Sequence, residues 1–154
     1  MYDKQKAHKK LTVLVSSTVY GIEGLLDRVY TLLTGFGYEV WMSHKGTVPV
    51  RSDRTAFENC LAAVEKCDLF LGIITPNYGN GQDKQKPNEL SITHREVRRA
   101  IELKKPRWLL SHEYVVFAWS LLKNLECKDK ASRKKLSAAF KRTPWRRPDA
   151  AGCL

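Results

Sequence analysis

The segment with most chemical potential in this sequence is Ser91-Ile92-Thr93-His94-Arg95-Glu96, where a carboxylate follows a hydroxyl by three residues at the start of a stretch with helical periodicity. Two readings compete for it. Thr93 and Glu96 match T-x-x-E, a capping box in which each side chain satisfies the other's backbone N–H. Alternatively Glu96 points into a ligand crevice. A carboxylate in a first helical turn is favoured in its charged form by the helix dipole. It would then suit a nucleophile, or a stabiliser of an oxocarbenium-like sugar, better than a proton donor. Two further clusters have matching chemistry, Ser16-Ser17-Thr18-Val19-Tyr20 and Thr75-Pro76-Asn77-Tyr78-Gly79. Hydroxyls and unpaired backbone N–H groups ahead of a helix suit phosphate or ribose oxygens. Ser17 or Thr18 also qualifies as a plain N-cap of the helix that follows.

These clusters need elements to bring them together. Leu11–Val15 is a β-branched apolar run, and Ile22–Leu33 repeats apolar residues every three or four positions before Gly35-Phe36-Gly37 stops it. Tyr38–Met42 reads as a second strand, and Thr55–Lys66 as a second helix. Leu69–Ile74 is a third strand, Thr93–Lys104 a third helix and Pro106–Leu110 a fourth strand. Strand–helix alternation of this kind implies right-handed crossovers and a parallel sheet with helices on both faces. In a flavodoxin-like strand order the crevice opens between the carboxyl ends of the first and third strands, where both hydroxyl clusters would emerge. Tyr114–Leu125 reads as an amphipathic helix, with a strand over Tyr114–Trp119 as its rival, and Lys130–Phe140 as a last short helix.

Several chemistries lack their motifs. No Walker G-x-x-x-x-G-K-[ST] occurs, Gly79-Asn80-Gly81 falls short of a dinucleotide fingerprint, and no G-x-S-x-G elbow is present. Ser111-His112-Glu113 are neighbours in sequence rather than a triad, and Ser111 reads as a helix cap. Cys60, Cys67, Cys127 and Cys153 form no C-x-x-C pair, so no metal site is expected. Cys60 and Cys67, seven apart, would share a face if they lie on one helix, and read most simply as small buried hydrophobes. Cys153, being penultimate, is misplaced for prenylation.

In order along the chain, Val15-Ser16-Ser17-Thr18-Val19-Tyr20, Cys67–Ile74 with Tyr78-Gly79, Ser91-Ile92-Thr93 through Glu96, and Lys105-Pro106 before a strand resemble the domain of unknown function 4062. The likeness covers roughly Leu11 to Leu125. That family is similar in fold to TIR domains and nucleoside deoxyribosyltransferases, flavodoxin-like sheets of which some cleave the N-glycosidic bond of NAD or nucleosides with a helix-borne glutamate. The resemblance implies that Glu96 would carry that role here. The loop from Val48 to Arg54 offers no second carboxylate beyond Asp53, so a two-carboxylate hydrolase is not indicated.

The expected architecture is a single three-layer α/β domain, flavodoxin/TIR-like, with a mainly parallel sheet of about four to five strands over residues 11–125 and helices C-terminal to it. Of the net charge of +11, residues 1–10 contribute +3, 11–125 only +2 and 126–154 +6, so the ends are a basic arm and a basic tail around a nearly neutral domain. Apolar stretches fall short of the ~18 residues of a membrane span and the start lacks a signal peptide's apolar core, so a cytoplasmic protein is expected. The leading functional expectation is a nucleotide-type ligand, NAD or a nucleoside, bound at Ser16, Ser17, Thr18, Tyr20, Tyr78, Gly79, Ser91 and Thr93. Glu96 would be the catalytic candidate, with no required cofactor and no metal. The rivals are a non-catalytic signalling or interaction module that self-associates through Tyr114–Leu125, and nucleic-acid binding through the basic ends.

Overall fold

Residues 9–77 and 90–124 are described by a computed structural model. The β-branched run leading into the first hydroxyl cluster forms β1 (Thr12–Ser17), followed by α1 (Glu23–Gly35), β2 (Glu39–Trp41) and α2 (Ala56–Lys66). Then come β3 (Leu69–Ile74), α3 (Ile92–Glu102), β4 (Arg107–Ser111) and α4 (Glu113–Asn124). The four strands form one sheet in the order β2-β1-β3-β4, and every neighbouring pair is parallel. This is the expected doubly wound arrangement, and the winding reverses between β1 and β3.

Strand pleating divides the core in two. Val13 and Val15 of β1, with Val40, Met42, Leu71 and Ile73, pack against Leu26 of α1 on one face. Leu14 and Phe70 face the other way and meet Ala63 and Val64 of α2 and Ala100 of α3. A strand residue and its successor point to opposite faces. Ser16 and Ser17 therefore serve different layers, although they stand side by side in sequence. Gly72 leaves room in this packing, since a side chain there would push Leu109 aside. A Cβ there would come 2.7 Å from Leu109 Cδ2 and 3.2 Å from Phe70 Cε1.

The helix starts are set by other residues than the sequence suggests. Neither Ser17 nor Thr18 caps α1. Its N-cap is Ile22, with no side-chain cap bond, because Thr18–Gly21 intervene between strand and helix. Thr93 and Glu96 do not form a capping box either. The chain enters α3 at Ser91, so Thr93 already lies inside the helix, and the Glu96 carboxyl is engaged elsewhere. Ser91 Oγ pairs with His94 Nδ1 at 2.9 Å instead. Ser111 ends β4 rather than capping α4. That task falls to His112, whose Nδ1 accepts from the Tyr114 N–H at 3.2 Å. The complete capping box sits at α2, where Thr55 Oγ1 accepts from the Glu58 N–H and Glu58 Oε2 accepts from the Thr55 N–H. The Thr55 backbone donor holds the Glu58 carboxyl below its usual value.

Asn59, buried on α2, ties down the loop that leads from β2. Its Oδ1 accepts from the Arg51 N–H at 2.9 Å, and its Nδ2 donates to the carbonyls of Arg51 and Arg54 at 3.1 and 3.3 Å. Truncation would strip three backbone groups of their partner. Asn59→Ala is expected to cost about 1–3 kcal/mol in denaturant unfolding and to speed amide exchange over residues 48–54. An unchanged midpoint with unchanged exchange would show that the loop holds itself.

The chain divides into two compact units, Met1–Val115 and Val116–Leu154. The first holds the sheet and the helices α1 to α3. Of the second, the described part is Val116–Asn124, the greater length of α4. That helix has no buried residue and exposes Val116, Phe117 and Trp119, with Lys123 Nζ 5.2 Å from the Trp119 ring centre. The basic tail, the expected helix over Lys130–Phe140, most of the basic arm, and Tyr78 and Gly79 lie outside the described residues. Among the described residues no helix is long and apolar enough to cross a membrane.

Candidate functional site

The carboxyl ends of the strands carry the site, but the opening is displaced from the expected crevice. Between β1 and β3 the loops are bonded together. Ser17 Oγ donates to the Ile73 carbonyl at 3.0 Å, the Thr18 and Thr75 hydroxyls share a hydrogen bond, and Asn77 Nδ2 donates to the Tyr20 carbonyl at 3.1 Å. Space opens instead on the β2 side. A cavity of about 430 Å³ lies over the exits of β1 and β2, and the first residues of α3 form part of its wall.

Five of the expected ligand-binding residues line this cavity: Ser17, Thr18, Tyr20, Ser91 and Thr93. Their hydroxyls are set against apolar Val15, Val19, Leu26, Met42 and Ile92. Tyr20 is exposed at the cavity rim. Trp41 is buried in the α2/α3 layer, and its indole N–H donates to Glu39 Oε1 at 2.9 Å.

Ser16 and Glu96 form a separate, deeper pair. The pleat turns Ser16 toward α2 and α3, and its hydroxyl donates to Glu96 Oε2 at 2.6 Å. Neither residue is among those lining the cavity. Glu96 is 5% exposed and lies one helical turn beyond Ile92 and Thr93. Its expected charged state is corrected here. Glu96 is the fifth residue of α3 and stands outside the first turn, where the dipole acts. Burial therefore dominates and pushes its carboxyl above the ordinary range, against the lowering effects of the Ser16 hydroxyl and the Cys60 thiol.

His44, like Ser43 beside it, is a polar cavity residue that sequence reasoning missed. It sits on a short 3-10 turn (Ser43–Lys45) after β2, and only 17% of its side chain is exposed. Its Nε2 lies 3.4 Å from Asp27 Oδ1, which Lys45 Nζ approaches at 2.7 Å. Lys45, then His44, hold the Asp27 carboxyl below its usual value. No Lys, Arg, Asp or Glu is among the described residues lining the cavity. Among the described residues no three metal-ligating side chains come together.

A parallel sheet in this order, with a hydroxyl-lined cavity at its carboxyl ends, defines a flavodoxin-like α/β domain with a ligand-sized pocket at the strand tips. Residues 12–151 match the family described as domain of unknown function DUF4062, and the chain belongs to that family. No curated protein matches the chain significantly. Among solved structures it is similar to a 2-desoxiribosyltransferase from Leishmania mexicana, 16% identical over 67% of this chain and 65% of that one, with a TM-score of 0.44. It thus spans just under two thirds of that protein. It is also similar to a CMP N-glycosidase from Clostridium botulinum, 20% identical over 68% of this chain and 76% of that one, with a TM-score of 0.39.

Proposed function

We propose that the domain binds a nucleotide-type ligand in the cavity above β1 and β2, and that Glu96 serves to cleave the ligand's N-glycosidic bond. The observation that carries the reading is the lining itself. Six hydroxyl-bearing residues and five apolar ones line about 430 Å³ at the strand tips, within the size range of small-molecule sites. A sugar matches the hydroxyls and a base matches the apolar wall.

In the proposed reaction the bond between the anomeric carbon and the base nitrogen breaks, and its electron pair leaves with the base. The ionised Glu96 carboxylate takes the anomeric carbon as an ester, water then hydrolyses that ester, and the proton released by water balances the one gained by the base. No cofactor enters. Positive charge developing on the sugar would favour the carboxylate form and so oppose the effect of burial. Glu96 must be released from Ser16 for this step.

Incubation with nucleosides and with NAD, read by product chromatography, tests the reading. Free base is expected, and is lost in Glu96→Gln. Wild-type protein that yields no product would refute the catalytic part.

A second reading, a self-associating interaction module, is favoured by the apolar residues that α4 exposes: Tyr114, Val116, Phe117, Trp119, Leu121 and Leu122. It expects a mass that rises with concentration in sedimentation, reversed by Phe117→Ser with Trp119→Ser. A constant monomer mass would exclude it.

A further inference from the structure

One cavity residue carries chemistry that the proposed reaction has not used. His44 lines the cavity from the Ser43–Lys45 turn, and its Nε2 rests 3.4 Å from Asp27 Oδ1 on α1. We propose that His44 is the proton donor to the departing base, giving up the proton on Nδ1 while Asp27 holds the ring by Nε2. The inference rests on the cleavage reading and names the group that completes its proton balance.

Three observations support it. The first is what the other lining groups already do. The Ser17 hydroxyl donates to the carbonyls of Thr18 and Ile73, Thr18 shares its hydrogen bond with Thr75, and Ser91 is paired with His94. Those hydroxyls are committed to the protein. His44 Nδ1 makes no hydrogen bond to a described residue, because the ring meets Asp27 through Nε2. The second observation is the residue type. No Lys, Arg, Asp or Glu is among the described lining residues, and imidazole is the side chain suited to give and take protons near neutral pH.

The third is the carboxylate behind the ring. Lys45 Nζ approaches the same Asp27 oxygen at 2.7 Å, and Lys45, then His44, hold that carboxyl below its usual value. Asp27 therefore stays ionised and accepts from Nε2–H. A carboxylate bonded to one ring nitrogen fixes the orientation of the ring and leaves the other nitrogen for the substrate. Lys45 also lies 5.9 Å from the centre of the Tyr30 ring, so two residues of α1 meet the turn that carries His44. The contact of 3.4 Å is long for a hydrogen bond, and catalytic hydrogen bonds commonly tighten once substrate is bound.

The step balances. The base takes the electron pair of the broken bond and the proton of His44, and the water that hydrolyses the Glu96 ester returns a proton to His44.

The test uses the full chain with His44→Gln, His44→Ala and Asp27→Asn, and two kinds of probe. Adenosine, guanosine, cytidine and uridine carry bases that gain a proton on leaving, whereas 4-nitrophenyl β-D-riboside releases a nitrophenolate that needs none. In His44→Gln, base release is expected to fall about 10²-fold or more, with nitrophenolate release near the wild-type rate. Asp27→Asn should show a smaller loss with the same selectivity, since the donor remains and only its orientation is freed. Added imidazole should restore part of the base release to His44→Ala. A cluster that merely fastens the turn to α1 would slow both leaving groups alike and respond to no imidazole.

Base release unchanged in His44→Gln, or lost equally for both leaving groups without rescue, overturns the inference alone, provided that turnover still depends on Glu96. If the riboside is not cleaved, rescue by imidazole decides. Wild-type protein that releases neither leaving group removes the cleavage, and the role of His44 with it.

Discussion

Glu96→Gln is expected to lower base release by about 10³-fold or more and, at the same time, to raise the melting temperature at neutral pH. The two effects have one cause. Glu96 is buried with the Ser16 hydroxyl donating to it, and burial outweighs the lowering effects of Ser16 and Cys60, so its carboxyl gives up a proton less readily than at the ordinary value of 4.5. The unfolded chain releases that proton near 4.5, while the folded chain retains it to higher pH. Native stability at this group is therefore complete in acid and falls as pH rises through the folded value. Glutamine keeps the size and an acceptor for Ser16 but has nothing to ionise. Its advantage should be close to zero below pH 4.5 and grow to a plateau above the folded value of Glu96, reading as a few degrees in thermal melts. A variant that melts lower than wild type by the same amount at every pH would show that the carboxyl carries no such strain.

The largest loss of stability is expected from Phe70→Ala, at about 3–5 kcal/mol. Phe70 lies on β3, in the middle of the sheet, and is fully buried against Leu14, Val64, Cys67 and Ala100. Its ring fills space that the missing side chain of Gly72 leaves open. Few domains hold more than 5–15 kcal/mol in total, so this deletion removes a large share of it. The denaturant midpoint should fall steeply with an unchanged slope. A loss under about 1 kcal/mol would mean that α2 and α3 collapse onto the sheet without the ring. Because α3 carries Glu96 and part of the cavity wall, residual ligand affinity in this variant would also report how firmly that layer must be held.

Much of the fold was legible because its signals are local. Leu69–Ile74 is a continuous apolar run bounded by polar residues, and it became β3 with the same limits. The parallel sheet with helices on both faces followed from alternation, and its strand order is the flavodoxin-like one that the resemblance implied. The site was less legible, for reasons that can be traced to particular residues. Ser16 and Ser17 were grouped as if both could reach one ligand, yet a strand that runs to Ser17 sends them to opposite faces. That signal was present in the period of two. The T-x-x-E pattern occurs twice, at Thr55–Glu58 and at Thr93–Glu96. Only the first caps a helix, because in the second a tertiary partner, Ser16, takes the carboxylate. His44 had no local signature, since its place in the cavity depends on where β2 ends relative to β1.

The hydrogen bonds between the loops that leave β1 and β3 have a mechanical consequence. Ser17 to Ile73, Thr18 to Thr75 and Asn77 to Tyr20 lace two segments more than fifty residues apart in sequence into one strut. Neither end can swing without tearing the lacing on the other, so the strut moves whole or not at all. Any ligand of the cavity would then have to pass along its opposite bank, the Ser43–Lys45 turn and the first turn of α3.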